Sequence, residues 1–158
     1  MNKADGREGQ VVAGTGAGAT NAEAAMPLVD TSTLFSQVPF NGLLGLRREF
    51  CEAGRARVVL ETRGELTNNF AATHGGVIMT LLDVSMSSAA LSKSDFQRAV
   101  VTIDMSTSFL KPGRGRLVAH GTAVGGGRSV CFCEARVEDE AGDTVAKAMG
   151  TFKYVKPC

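Results

Sequence analysis

Residues 73–91 read THGGVIMTLLDVSMSSAAL. At 100° per residue they wind into an almost wholly apolar helix. Val77, Leu81, Val84, Ser88 and Leu91 form one row, Ile78, Leu82, Ser85 and Ala89 the next, and Met79 and Met86 extend the surface. Only Thr80, Asp83 and Ser87 make a narrow polar stripe. A helix apolar round most of its circumference is buried on most sides, so a curved sheet must wrap it. Between Glu65 and Lys93 the only ionisable side chains are His74 and Asp83. An acid in such surroundings is costly unless something satisfies it, so the stripe faces a crevice or a second subunit.

The start of the helix carries the second clue. Thr73 is the expected N-cap, and Gly75 and Gly76 bare the backbone N–H groups of the first turn to a ligand oxygen. The helix terminus adds partial positive charge, which suits a developing oxyanion. Gly75 and Asp83 are eight residues apart, about 12 Å along one axis. A base and an oxyanion donor serving one carbonyl each lie within roughly 3 Å of the reacting atoms. One helix cannot supply both, whereas two copies antiparallel across a twofold can. A catalytic role therefore requires an obligate dimer.

The rest of the chain supplies the wrapping. Residues 1–26 are poor in large apolar side chains and are expected to form a disordered tail before a single domain over 27–158. The Gly14-Thr-Gly16-Ala-Gly18 run inside that tail imitates a dinucleotide-binding turn, but Pro27 follows too soon for the helix that motif needs. Asp30–Gln37 is expected to be a short capped helix, and Leu43–Phe50 and Arg55–Arg63 to be strands. Beyond the long helix, Val101, Ile103, Met105, Thr107 and Phe109 alternate with Thr102, Asp104, Ser106 and Ser108. Strands over 116–124, 129–138 and 144–155 follow, separated by Gly-rich turns too short for helical crossovers. The expected class is α+β: one long central helix in a curved antiparallel sheet of five to six strands.

Composition narrows the function. A net charge of +1, no Trp and one Tyr offer nucleic acid neither cations in excess nor stacking rings. No membrane span is expected, because the most apolar stretch is short and contains Asp83. Cys131 and Cys133 share one strand face without zinc or redox spacing, so they read as small buried side chains, and reduced thiols suit a cytoplasmic protein. Two histidines, His74 and His120, are too few for a His-rich metal site. There is no Gly-x-Ser-x-Gly elbow. A base and an oxyanion donor still suffice for an activated carbonyl such as a thioester, with no metal.

Asn68, His74-Gly75-Gly76, Leu82-Asp83 and the strand from Val101 to Pro112 resemble the hot dog fold acyl-CoA thioesterases, in the PaaI-like and 4-hydroxybenzoyl-CoA thioesterase group, over residues 38–155. The resemblance implies a helical "sausage" in a β "bun", homodimers that commonly pair into tetramers, and active sites between subunits. It implies an acyl-CoA substrate and no cofactor beyond the CoA that substrate carries. Gly75 N–H would polarise the thioester carbonyl, and Asp83 from the partner copy would act as general base or nucleophile. Asn68 would position water or the carboxylate, and Thr102 would place a hydroxyl beside Asp83. His74 and Gly76 would adjoin the substrate, the former in a mainly structural role. Lys111, Arg114 and Arg128, near loop ends, are the expected anchors for the CoA phosphates. Two positions depart from the family pattern: Ala71 stands where many relatives have Gly, and Thr102 where many have Ser. Two other readings share these residues, an acyl-thioester hydratase or dehydratase and a non-catalytic acyl-CoA-binding protein.

Overall fold

A computed structural model describes residues 31–156; the expected N-terminal tail and its Gly-rich run lie outside the described residues. Its elements are α1 (Thr31–Gln37), α2 (Pro39–Leu44), β1 (Arg47–Glu52), β2 (Arg55–Glu61), a 3-10 turn at Gly64–Leu66, α3 (Gly75–Lys93), β3 (Ala99–Phe109), β4 (Arg116–Gly126), β5 (Val130–Glu138) and β6 (Thr144–Val155). The strands form one six-stranded antiparallel sheet in the order β1-β2-β4-β5-β6-β3. That sheet wraps α3, which is the hot dog arrangement expected from the sequence.

Burial follows the alternation that the strands show. Val58, Leu60, Leu117, Ala119, Val137, Ala146 and Phe152 turn inward onto Leu81, Leu82 and Met86 of the helix. Each of the large side chains in that set, removed from water, contributes about 2 kcal/mol. Cys131 and Cys133 are buried on the same inner face, as expected, with their sulfurs 3.7 Å apart. The C-terminal half of α3 is tethered from three directions. Cys51 Sγ–H donates to Ser88 O (3.2 Å), Gly54 N–H to Ser92 Oγ (3.0 Å) and Tyr154 O–H to Ala90 O (3.1 Å).

One expected strand is partly helical. Residues 43–50 were expected to be extended, but Leu43 and Leu44 end α2 and the strand begins at Arg47. Pro39, with its fixed φ, opens α2 at the first turn, and Gly45 at φ 74° closes it. Arg63 then donates to the carbonyls of Leu43 and Leu44, and Asn41 Nδ2 donates to Phe35 O. Arg63 thus adds contacts from elsewhere in the chain to what Pro39, Asn41 and Gly45 supply locally.

Helix and sheet approach closely at Gly121 of β4. A Cβ there would lie 2.2 Å from Ser85 O and 2.9 Å from Met86 N, both helix backbone atoms that cannot swing aside. Gly121→Ala is therefore expected to destabilise the fold by about 3 kcal/mol. Gly127, with nothing within 4 Å of an added Cβ, serves as the control, and its Ala variant should stay within about 0.5 kcal/mol of wild type. Chemical denaturation of the two variants makes the comparison.

Candidate active site

The loop leading into α3 is fixed before the helix begins. Thr67 and Thr73 form a β-bridge, Thr73 N–H donates to Gly113 O and His74 N–H to Leu66 O, both at 2.8 Å. The Thr73 hydroxyl lies 2.7 Å from that of Thr62, and the residue is buried. Thr73 therefore cannot cap the helix, contrary to the expectation from sequence. His74 is the N-cap, its Nδ1 accepting from Gly76 N–H at 3.0 Å. As the acceptor in this contact, Nδ1 carries no proton. This contact supports the structural role expected of His74, and it occupies the Gly76 N–H that was expected to meet substrate. The Gly75 N–H, by contrast, has no acceptor among the described residues. It is the open donor of the first turn.

Asn68 shapes the same loop. Its Oδ1 accepts from Phe70 N–H (2.9 Å) and Ala72 N–H (3.2 Å), which leaves only the Nδ2 donors for a water or carboxylate. Ala71 sits at φ +53°, in the left-handed region. Glycine enters that region without steric cost and Ala does not, so Ala71 holds this turn at some strain. Arg114, expected at a CoA phosphate, instead donates from Nη2 to Phe70 O at 3.2 Å and braces this loop.

Nine residues beyond His74, Asp83 occupies the open side of α3. The hydroxyls beside it are already spent on the helix itself: Thr80 Oγ1 donates to Gly76 O (3.0 Å) and Ser87 Oγ to Val84 O (3.1 Å). Asp83 instead faces β3, where Thr102 Oγ1 donates to its Oδ1 at 2.8 Å. Strict alternation would put Thr102 on the same face as Asp104, Ser106 and Ser108, away from the helix. A β-bulge between Thr102 and Asp104 reverses this. Thr102 pairs with the buried Phe152 and Asp104 with Thr151, so the two point to opposite faces. Burial raises the Asp83 pKa, and the Thr102 hydroxyl opposes the rise. The other two described carboxylates with clear shifts, Glu138 and Asp139, move downward through Arg136 and Lys111 respectively.

The remaining expected anchors diverge. Lys111 is held by Asp139 (2.9 Å) and Asp143 (2.5 Å) of the β5–β6 turn, so its ammonium is already committed. Arg128 lies exposed between β4 and β5, and its carbonyl accepts from Arg98. Phe109, which sequence reasoning placed on a strand face without a role, packs against Gly75. Two of its ring carbons are 3.5 Å from the position of a Gly75 Cβ. The alternation of β3 was the available signal, but the partner across space was not in it.

The thioesterase superfamily model matches residues 70–146, the span from the Asn68 loop through β6's first residues. A candidate esterase of Saccharolobus solfataricus is 32% identical over 106 residues, covering 66% of this chain and 75% of that protein. The chain belongs to the thioesterase superfamily. A conserved protein of Pseudomonas aeruginosa shares the superfamily architecture with a TM-score of 0.71 and 29% identity, over 73% of this chain and 93% of the other. The PaaI protein from the phenylacetic acid degradation operon of E. coli superposes with a TM-score of 0.74 at 20% identity, over 79% of this chain and 90% of its own, and shows the common fold. Membership places the protein among thioester hydrolases.

Removing the Thr102 hydroxyl takes away the interaction that lowers the Asp83 pKa and leaves the burial that raises it. Thr102→Val is expected to move the titration of Asp83 to higher pH. A carboxyl-carbon NMR titration of wild type and variant reads the shift directly, and no upward movement would refute the assignment.

Proposed function

We propose that the protein hydrolyses acyl-CoA thioesters to the free acid and CoA, at sites formed by Gly75 of one copy and Asp83 of another. The observation that carries this reading is the combination on α3 of an unpaired N–H at its start and a half-buried carboxylate on its open side. The spacing between them, about 12 Å, supports a twofold pairing of antiparallel helices. So does β3, an 11-residue strand at the edge of the sheet in which Val101 and Ile103 are 48% and 55% exposed. Long exposed apolar edges invite pairing with another strand. A dimer of dimers in the cytoplasm is the proposed working state.

The chemistry balances with protein groups alone. Gly75 N–H donates to the thioester carbonyl oxygen, and the helix N-terminus favours the negative charge that develops there. The Asp83 carboxylate accepts a proton from water as the water oxygen bonds to the carbonyl carbon. Collapse of the tetrahedral intermediate breaks the C–S bond. CoA leaves as a thiol-class leaving group with an intrinsic pKa near 8.5, and the proton on Asp83 is available to it. The same carboxylate could instead attack the carbonyl itself and pass through an anhydride that water then opens; oxygen-18 from solvent appearing in Asp83 after a single turnover distinguishes the two routes. The Nδ2 donors of Asn68 and the exposed Arg128 are the proposed contacts for water and for a CoA phosphate. No cofactor enters any step.

Two variants, alone and combined, test the reading. Asp83→Asn is expected to lose about two or more orders of magnitude in thiol release from a panel of aryl and straight-chain acyl-CoA esters. The sign of its stability effect is the opposite. Because the folded pKa of Asp83 is raised, the ionised form costs stability above that pKa, so the Asn variant should be at least as stable as wild type at neutral pH.

Gly75→Pro deletes the donor while respecting the helix, since Pro fits the first helical position and His74 at φ −59°, ψ 137° already has the geometry a following Pro requires. It should lose activity and keep its fold. Each of these two variants is expected to be inactive alone. Unfolded, mixed and refolded together, they should recover about a quarter of wild-type activity if each site draws on two copies. No recovery in verified mixed dimers would refute the shared site. Full activity in Asp83→Asn would refute the mechanism.

A further inference from the structure

We propose that Phe109 sets the acyl-group selectivity of the site by forming the wall beside the carbonyl-binding amide of Gly75; the inference rests on the hydrolase reading above. Phe109 ends β3 on the inner face, opposite the buried Ala146. Its ring reaches the bare Cα of Gly75, with Cε1 and Cζ 3.5 Å from the position of an added Cβ. Yet Phe109 is 51% exposed. An aromatic side chain that merely filled the core would be covered by it, as Phe152 is at 0%. Phe109 instead keeps half its surface open next to Gly75 N–H, the one N–H at the start of α3 without an acceptor among the described residues.

The strand end that carries the ring is also anchored. Leu110 N–H and Lys111 N–H both donate to Val145 O, at 2.8 and 3.2 Å. Lys111 Nζ is clamped between Asp139 and Asp143. One exposed ion pair contributes little, but two carboxylates on one ammonium, backed by two backbone bonds, fix the strand end from which Phe109 projects. A wall that discriminates between substrates must be placed to a fraction of an ångström, and this strand end is anchored on both backbone and side chain.

Distance then says what meets the wall. A carbonyl oxygen accepting from Gly75 N–H lies about 2.9 Å from the nitrogen, and the carbon next to the carbonyl is roughly 2.4 Å further on by ordinary bond lengths. That brings the substituent on the carbonyl into van der Waals range of the ring. Two groups flank a thioester carbonyl, the acyl chain and the sulfur with its amide-rich arm. A phenyl ring has no hydrogen-bonding group, and polar groups pressed against it lose their water without return. The hydrocarbon acyl group is the one that fits. Branching at the carbon next to the carbonyl pushes a methyl group toward the ring, so wild type favours unbranched acyl groups.

The test compares butanoyl-CoA with its branched isomer 2-methylpropanoyl-CoA, measuring kcat and KM for wild type, Phe109→Ala and Phe109→Tyr at verified equal folding and assembly. Wild type should prefer the straight chain, Phe109→Ala should reduce that preference by about tenfold, and Phe109→Tyr, which keeps the ring, should retain it. An unchanged preference in Phe109→Ala would overturn the proposal, because a purely structural ring would scale both substrates alike. Should Phe109→Ala fail to fold, Phe109→Leu carries the same comparison. Wild type inert toward both esters would count against hydrolysis instead. The ratio of their calorimetric binding affinities, compared between wild type and Phe109→Ala, then decides the role of the ring independently.

Discussion

Everything in this fold is referred to the contact between Gly121 and the carbonyl of Ser85. Without a side chain at residue 121 the helix backbone settles directly onto the middle of the sheet, and that contact sets both its depth and its rotation. Asp83 lies two residues before Ser85, about 200° round the axis. Pressing Ser85 against β4 therefore turns Asp83 to the far side, where Thr102 of β3 meets it. The tethers from Cys51, Gly54 and Tyr154 hold the C-terminal half in the same rotation. A structural glycine on one side of the helix thus aims a carboxylate on the other.

The environment of that carboxylate is made by subtraction. The hydroxyls of Thr80 and Ser87 turn back onto helix carbonyls, leaving Thr102 as the hydroxyl that meets Asp83. A single neutral donor stabilises the charged form less than burial penalises it, which is the direction of the shift. The fold accepts a cost at this position, as functional sites commonly do. The carboxylates of the β5–β6 turn are satisfied by Lys111 and their own backbone.

Much of this was legible in the sequence, for identifiable reasons. A helix apolar on most sides and four later strands of period two can form only a wrapped-helix architecture, and the isolated acid within the helix stood out because nothing ionisable surrounded it. What was not legible depended on partners distant in the chain. The Pro39–Leu44 helix relies on Arg63 and Asn41 contacts that no local pattern announces. The cap passed from Thr73 to His74 because the Thr73 hydroxyl is drawn to Thr62. The bulge at residue 103 inverted the facing of Thr102 without any glycine to mark it. The cations near loop ends looked alike in sequence, yet Lys111 and Arg114 are spent on the protein's own acceptors.

The inward placement of the cysteines has a further consequence. A catalyst that liberates CoA generates a free thiol at its own surface, and CoA disulfides form readily wherever oxidants reach it. Mixed-disulfide exchange needs an accessible thiolate on the protein. Cys131 and Cys133 lie beneath the sheet, and burial drives the Cys133 thiol well above its ordinary range. Cys51, half-buried with its S–H directed at the Ser88 carbonyl, is likewise held toward the protonated form. The three thiols that pack against the helix are therefore poor targets for S-thiolation by the very product the enzyme would release, so turnover would not feed back onto the core as covalent damage.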